Sequence, residues 1–167
     1  MSKKEAINKI AFLIEEASKI AKEELNIDNI FYNEGYVDLL VSSKLNHTYN
    51  IETQGADAFD NEGKWAEYKT INESSKSTGS FQFHWISKEK LEKYNKSNFY
   101  FIVRNGTKIL RIYTIEKEKI MFHLIKAFEE GERKRLKLKI KKSINAHKSF
   151  SEKTLIKMGA KLIYKNE

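Results

Sequence analysis

Gln54-Gly55-Ala56-Asp57-Ala58-Phe59-Asp60-Asn61-Glu62-Gly63-Lys64-Trp65-Ala66-Glu67-Tyr68-Lys69-Thr70 is the stretch on which the reading of this chain turns. Asp60–Gly63 has the composition of a turn with glycine last, joining Ala58-Phe59 to a strand over Lys64–Ile71. With Gly63 as a bulge residue, the loop is Asn61, Glu62 and Gly63, and Asp60 opposes Lys64. Counting back places Asp57 opposite Glu67, with β-carbons about 5 Å apart. Side chains alternate along a strand, so Lys69 shares the face of Glu67 and Tyr68 takes the other.

Carboxylates facing each other across a hairpin repel by roughly 0.2–1 kcal/mol on an exposed sheet, and by more when desolvated. A hard divalent cation between them turns that repulsion into binding. Oxygen-only ligands suit Mg(II), with Mn(II) as a substitute and Ca(II) as an occupant of the same site. An ion held by one or two carboxylates keeps positions open for water and a phosphate oxygen, and Lys69 is placed to donate to either. The bland alternative is a surface hairpin with an ordinary Glu-x-Lys pair, and the spacing alone leaves both open. A calcium-loop reading fails, because Gly63 at the invariant sixth position puts Ala58 first and Lys69 twelfth, where carboxylates are required.

Outward from the hairpin the chain reads as α+β, a central mixed or antiparallel β-sheet flanked by helices. Ile7, Ile10, Ala11, Ile14, Ala17 and Ala21 recur at spacings of three and four, predicting a long helix capped by Ser2 and fading near Leu25-Asn26. That helix either covers the core or makes a dimer contact. Alternating Val37, Leu39 and Val41, then Tyr49–Ile51, predict short strands. Ser87 caps a short helix running to Tyr94, and Asn105-Gly106 turns a hairpin between Phe99–Arg104 and Lys108–Ile115. Ile120, Met121, Leu124, Ile125 and Phe128 predict a second long helix closed at Gly131. A basic strand through Leu136, Leu138 and Ile140 follows, then a polar loop over Ser143–Ser149. Ser151 caps a last short helix ended by Gly159, and Leu162-Ile163-Tyr164 forms a final strand. Nothing resembling a linker divides residues 1–167, which read as one domain, mainly helical over 1–30 with the site in 31–167.

The 167 residues hold 31 Lys plus Arg against 23 Asp plus Glu, a net charge of +8. That is the electrostatic footprint of a protein that meets phosphates, and equally of an ordinary lysine-rich surface. The lack of Cys excludes disulfides, thiolate metal sites and cysteine nucleophiles, and the lack of Pro excludes Pro-rich tails. No apolar run approaches the ~20 residues that span a bilayer, and Met1–Glu5 has no long apolar stretch behind it, so a cytoplasmic location is expected. Arg133–Lys142 is the strongest basic patch. Each phosphate it neutralises would steepen the log–log salt dependence by about 0.9, while a lysine-protected edge strand is the competing reading. In Gly79–Trp85, headed by Ser80, Gln82 and His84 share one face of a strand and Phe81, Phe83 and Trp85 the other. Gln pairs bidentately with adenine and His donates to guanine, but the same pattern suits a half-buried strand with two surface polars. His147 is either a DNA contact or a solvated loop histidine, and His47 and His123 lack any partner pattern.

Asp57-x-x-Asp60-Asn61-x-Gly63 followed by Glu67-x-Lys69-Thr70-Ile71-Asn72 resembles the catalytic hairpin of PD-(D/E)xK nucleases, and more narrowly that of PvuII-type restriction endonucleases. The likeness runs from Ile27–Phe31 to Gly159–Tyr164 and takes in Gly79, His84, Lys93-Tyr94, Ile112-Tyr113 and Lys142–Asn145. It implies a restriction-endonuclease-like fold, Asp57 and Glu67 as metal ligands, Lys69 as the catalytic lysine and Tyr94 near the scissile phosphate. It implies base reading by His84 and Asn145, with Asn33 approaching the centre of the site; Ser80, Gln82 and His147 join them as DNA-binding candidates. The family's N-terminal helices help form a homodimer, which makes residues 1–30 a dimerisation region. The implied activity is Mg(II)-dependent hydrolysis of both strands of a palindromic double-stranded DNA site, leaving 5′ phosphates. Mn(II) would substitute, and Ca(II) would bind without supporting cleavage. The implied setting is a bacterial cytoplasm, with a cognate DNA methyltransferase encoded alongside. The chain departs from the family where a histidine cluster is reduced to His84 between Phe83 and Trp85. It departs again at Ala146, where the family has a second asparagine, at Asn33, where it has an aspartate, and at Gln54, where it has an acid. The cutting chemistry thus carries over more firmly than the target bases. Two further readings stay open: a PD-(D/E)xK nuclease for repair or structured DNA with no base reading, and a basic DNA-binding module with incidental carboxylates.

Overall fold

Helix α1 (Lys3–Leu25) opens the chain, followed by α2 (Gly35–Leu45), β1 (Thr48–Tyr49), β2 (Ala58–Phe59) and β3 (Trp65–Asn72). Then come β4 (Ser80–Ile86), α3 (Lys88–Lys96), β5 (Ser97–Asn105), β6 (Lys108–Ile115) and α4 (Lys117–Lys137). Strand β7 (Ala146–Ser151), α5 (Glu152–Lys157) and β8 (Lys161–Lys165) complete the order. The computed structural model describes residues 1–32, 35–52, 55–74, 79–139 and 146–166.

The main sheet has six strands in the order β1-β2-β3-β5-β6-β8, and β4 pairs with β7 in a separate two-stranded ribbon. β3 and β5 run parallel, Glu67 beside Phe99 and Lys69 beside Phe101, while the other pairings are antiparallel. The sheet is therefore mixed, with helices flanking it, as a restriction-endonuclease-like α+β fold requires. Parallel strands need a crossover, and here β4 and α3 supply it. Both faces of the central strands are covered. On one, Phe99, Phe101 and Val103 meet Phe81 and Phe83 of β4, Phe150 of β7 and Leu124 of α4. On the other, Ala66, Tyr68, Ile102 and Ile112 meet Val37 and Val41 of α2.

The two hairpin turns, the Ser87 and Ser151 caps and the last strand lie where the sequence puts them. α1 starts with a reciprocal capping box between Ser2 and Glu5 and ends at Asn26 in the left-handed region. Five expectations fail. Val37, Leu39 and Val41 lie in α2, not a strand, because the residues it buries are Val37, Val41 and Ser42, a helical spacing. α4 does not close at Gly131, which is buried within it. The helix runs on to Lys137, aided by a Glu132–Arg135 pair at 2.9 Å and by Lys134, Arg135 and Lys137 at its negative end. The expected basic strand is thus the last turn of a helix with Leu136 exposed, followed by exposed Leu138; its end at Ile140 lies outside the described residues. The polar loop over Ser143–Ser149 is strand β7 from Ala146 onward, its period visible in buried Ala146 and Phe150. Trp85 leaves the face of Phe81 and Phe83, because the β4–β7 register shifts between Phe83 and Ile86 and Ile86 takes the inner position.

Phe101 is fully buried and touches the rings of Phe81, Phe83 and Phe99. Phe101→Ala is expected to lower unfolding free energy by about 3–5 kcal/mol, measured by denaturant titration.

Candidate active site

The pairing Ala58↔Ala66 and Phe59↔Trp65 follows the expected register, and Asp60 N–H donates to Lys64 O at 2.8 Å; at Asp57 the ladder is irregular, its N–H donating to Ala66 O at 3.1 Å. Gly63 sits at φ 74°, the left-handed conformation the turn demands. On β3, Ala66 and Tyr68 point to the α2 side, so Glu67 and Lys69 point to the side of β4 and α3. There Lys69 Nζ lies 5.3 Å from the centre of the Phe83 ring and 5.9 Å from that of Tyr94.

Four sequence-predicted residues therefore converge: Asp57, Glu67, Lys69 and Tyr94. The Asp57 carboxylate accepts from Tyr68 N–H at 2.6 Å. Glu67, a buried acid, receives Lys69 Nζ on Oε1 at 2.6 Å and has Lys93 Nζ 3.0 Å from Oε2. The Oε2 contact is one of charge, since that buried oxygen has no aligned hydrogen bond. Burial, reinforced by the Glu67 charge, pushes Asp57 up to about 6 against the opposing pull of Lys69, the Tyr68 N–H and Lys93. Burial also pushes Glu67 upward, but Lys69 and Lys93 outweigh it and hold this carboxyl below the ordinary range. For Lys69, burial favours the neutral amine, yet Glu67 and Asp57 prevail and the ammonium is kept. Burial raises the Tyr94 phenol to about 12 despite Lys69 beside it, so it stays protonated at neutral pH.

This donor set fits a divalent ion. It offers hard oxygens only, a buried carboxylate oxygen that lacks a hydrogen bond, and an Asp57 carboxyl raised by burial and by the Glu67 charge. Among the described residues no three His, Cys, Asp or Glu side chains group to hold a metal unaided. Two carboxylates leave room for substrate oxygens, the arrangement Mg(II) uses on phosphates.

The remaining sequence-predicted residues lie on the β4–β7 ribbon or outside the described residues. Gln82 Nε2 donates to Ser80 Oγ at 2.6 Å. His84 is exposed, and its carbonyl accepts from Lys90 Nζ at 2.9 Å. His147 is an exposed strand residue, set by register across from the His84–Trp85 bulge. Asn33 and Asn145 lie outside the described residues. Trp85 stands 60% exposed at φ 55°, a conformation that costs a bulky residue on the order of 1–3 kcal/mol. Sequence reasoning gave Lys90 and Lys93 no role, though their spacing of three after the Ser87 cap puts both on one face of α3. His47, expected to be bland, contacts the Tyr68 hydroxyl at 2.9 Å within the α2 packing.

A mixed sheet whose parallel central strand carries Glu67 and Lys69, with Asp57 across the hairpin, resembles the core of a restriction-type nuclease. The family model described as restriction endonuclease PvuII matches residues 2–164, and the chain belongs to that family. It is a type II site-specific deoxyribonuclease, a DNA-binding hydrolase of a kind that generally depends on divalent metal. No curated protein matches the chain. Among the described residues no helix is long and apolar enough to cross a membrane.

Asp57 is about 3.8 when unfolded and about 6 when folded, so the native state loses stability as pH rises between those values. Asp57→Asn keeps an acceptor for Tyr68 N–H without the charge. It should be more stable than the parent at pH 8 by roughly 1–2 kcal/mol, with the gap closing as pH falls below about 4. Denaturant melts across that pH range measure it.

Proposed function

We propose that the chain is a homodimeric, Mg(II)-dependent restriction endonuclease that cuts both strands of a palindromic duplex and leaves 5′ phosphates. The observation that carries this reading is the buried Glu67 carboxylate, set beside Asp57 and Lys69 with one oxygen lacking a hydrogen bond. Asp57 and Glu67 hold the ion. When bound, it supplies Lewis-acid charge to the phosphate and makes a water more acidic. Lys69, kept as an ammonium, donates to a non-bridging phosphate oxygen or to the attacking water and aligns it in line. Tyr94, a neutral phenol, closes one wall and excludes bulk water. Water oxygen bonds to phosphorus and releases a proton to bulk solvent, the bond to the 3′ oxygen breaks, and that oxygen takes a proton from solvent. The products are a 5′ phosphate and a 3′ hydroxyl.

Ser80, Gln82, His84 and His147 on the β4–β7 ribbon would read base edges from the major groove, together with Asn33 and Asn145. Residues 1–30 serve as the dimerisation region. Support comes from α1, which buries only Ala21 completely and leaves Ile7, Ile10 and Ile14 exposed along one stripe. A twofold dimer matches a palindrome and doubles the positive charge that draws DNA. The enzyme would act in the bacterial cytoplasm, where a cognate methyltransferase protects host DNA.

Digestion of a fully sequenced phage DNA with Mg(II), followed by end sequencing, should give discrete 5′-phosphorylated ends at one palindrome. Smears, or no cutting, would contradict the proposal. Asp57→Ala and Lys69→Ala should each lower cleavage by about 10³-fold while Lys69→Ala keeps Ca(II)-supported DNA binding in gel shifts. Ile10→Glu with Ile14→Glu should convert a dimer to a folded monomer in sedimentation.

A further inference from the structure

The two ammonium groups on Glu67 are held unequally. Lys69 donates to Oε1 at 2.6 Å and also to Tyr68 O at 3.2 Å, lies against the Phe83 and Tyr94 rings, and is 17% exposed. Lys93 meets Oε2 at 3.0 Å without an aligned hydrogen bond and is 28% exposed. It borders a cavity of about 310 Å³ that Asp57, Asp38 and Tyr49 also line. Lys93 thus has somewhere to go and Lys69 does not.

Charge balance says why it would move. Two carboxylates and two ammonium groups neutralise each other in a site largely removed from water. A divalent cation added to that set leaves an excess of two positive charges, which a low-dielectric site resists strongly. The least costly relief is departure of the ammonium with solvent access and the weaker hydrogen bonding. Its departure frees the oxygen that the ion requires. Lys90, one turn earlier on α3, makes a contrast: its ammonium is tied to the His84 carbonyl at 2.9 Å, and it senses the same charges without ion-pairing to Glu67.

We propose that Lys93 is a positioning residue that occupies Glu67 Oε2 until a divalent ion takes that oxygen, then turns into the adjoining cavity to meet a backbone phosphate of bound DNA. The idea rests on Asp57 and Glu67 being the ion ligands. It makes ion loading an exchange of cations on one carboxylate rather than the filling of a prepared gap. DNA would then favour loading by giving the displaced ammonium a new partner.

The test is calorimetric Ca(II) titration of the full-length protein without DNA, beside amine-acetylation footprinting of Lys93 by mass spectrometry. Lys93→Met should bind Ca(II) about five- to tenfold more tightly than the parent. Lys90→Met, which removes the same charge from the same helix, should change affinity by no more than about twofold. In the unmutated protein, Ca(II) should speed acetylation of Lys93, a readout that needs no variant to fold. Equal affinities for Lys93→Met and parent, an equal gain in Lys90→Met, or unchanged Lys93 acetylation would overturn the exchange while leaving the nuclease reading intact. Failure of the parent protein to bind Ca(II) at all would overturn both.

Discussion

Burial of the Glu67 carboxylate is the constraint around which the candidate active site is arranged. An anion taken out of water costs several kcal/mol unless cations come with it. β3 carries one of them two residues on, as Lys69, and α3 brings the other, as Lys93. α3 can reach only because the chain crosses over between parallel strands β3 and β5, so the topology and the charge pairing belong to one solution. Asp57 enters from the hairpin on the opposite edge, its carboxyl raised by burial and by Glu67 in spite of Lys69 and Lys93. The site is thus strained for stability and suited to a cation. Natural proteins accept such costs where function needs them.

Much of this was legible because it is local. Asp57 and Glu67 are ten residues apart, and the turn between them has few solutions once Gly63 takes a positive φ. The register of Ala58 and Phe59 follows from counting, and the facing of Lys69 follows from alternation. Caps at Ser2, Ser87 and Ser151 were legible for the same reason, since each satisfies backbone groups within three residues. The convergence of Tyr94 came only from the family likeness. No local rule says that α3 folds over β3.

What sequence reading missed is what tertiary packing decides. The apolar residues of α2 are crowded enough that a period of two and a helical period both fit Val37, Leu39 and Val41. Gly131 looked like a helix stop, but α4 holds it in a buried position where backbone packing outweighs its low propensity. β7 is polar by composition and becomes a strand because β4 offers it an edge. That ribbon also turns Trp85 outward beside His84 and opposite His147, so the face proposed to read DNA is more aromatic than simple alternation suggested.

The central claim is that Asp57 and Glu67 together bind a divalent ion. A crystal of the protein grown or soaked with Ca(II), with anomalous data collected, tests it most directly. The account predicts one anomalous peak between the two carboxylates, with oxygens of both at roughly 2.3–2.6 Å. No peak there, with the carboxylates turned apart and Glu67 still paired to both lysines, would contradict it.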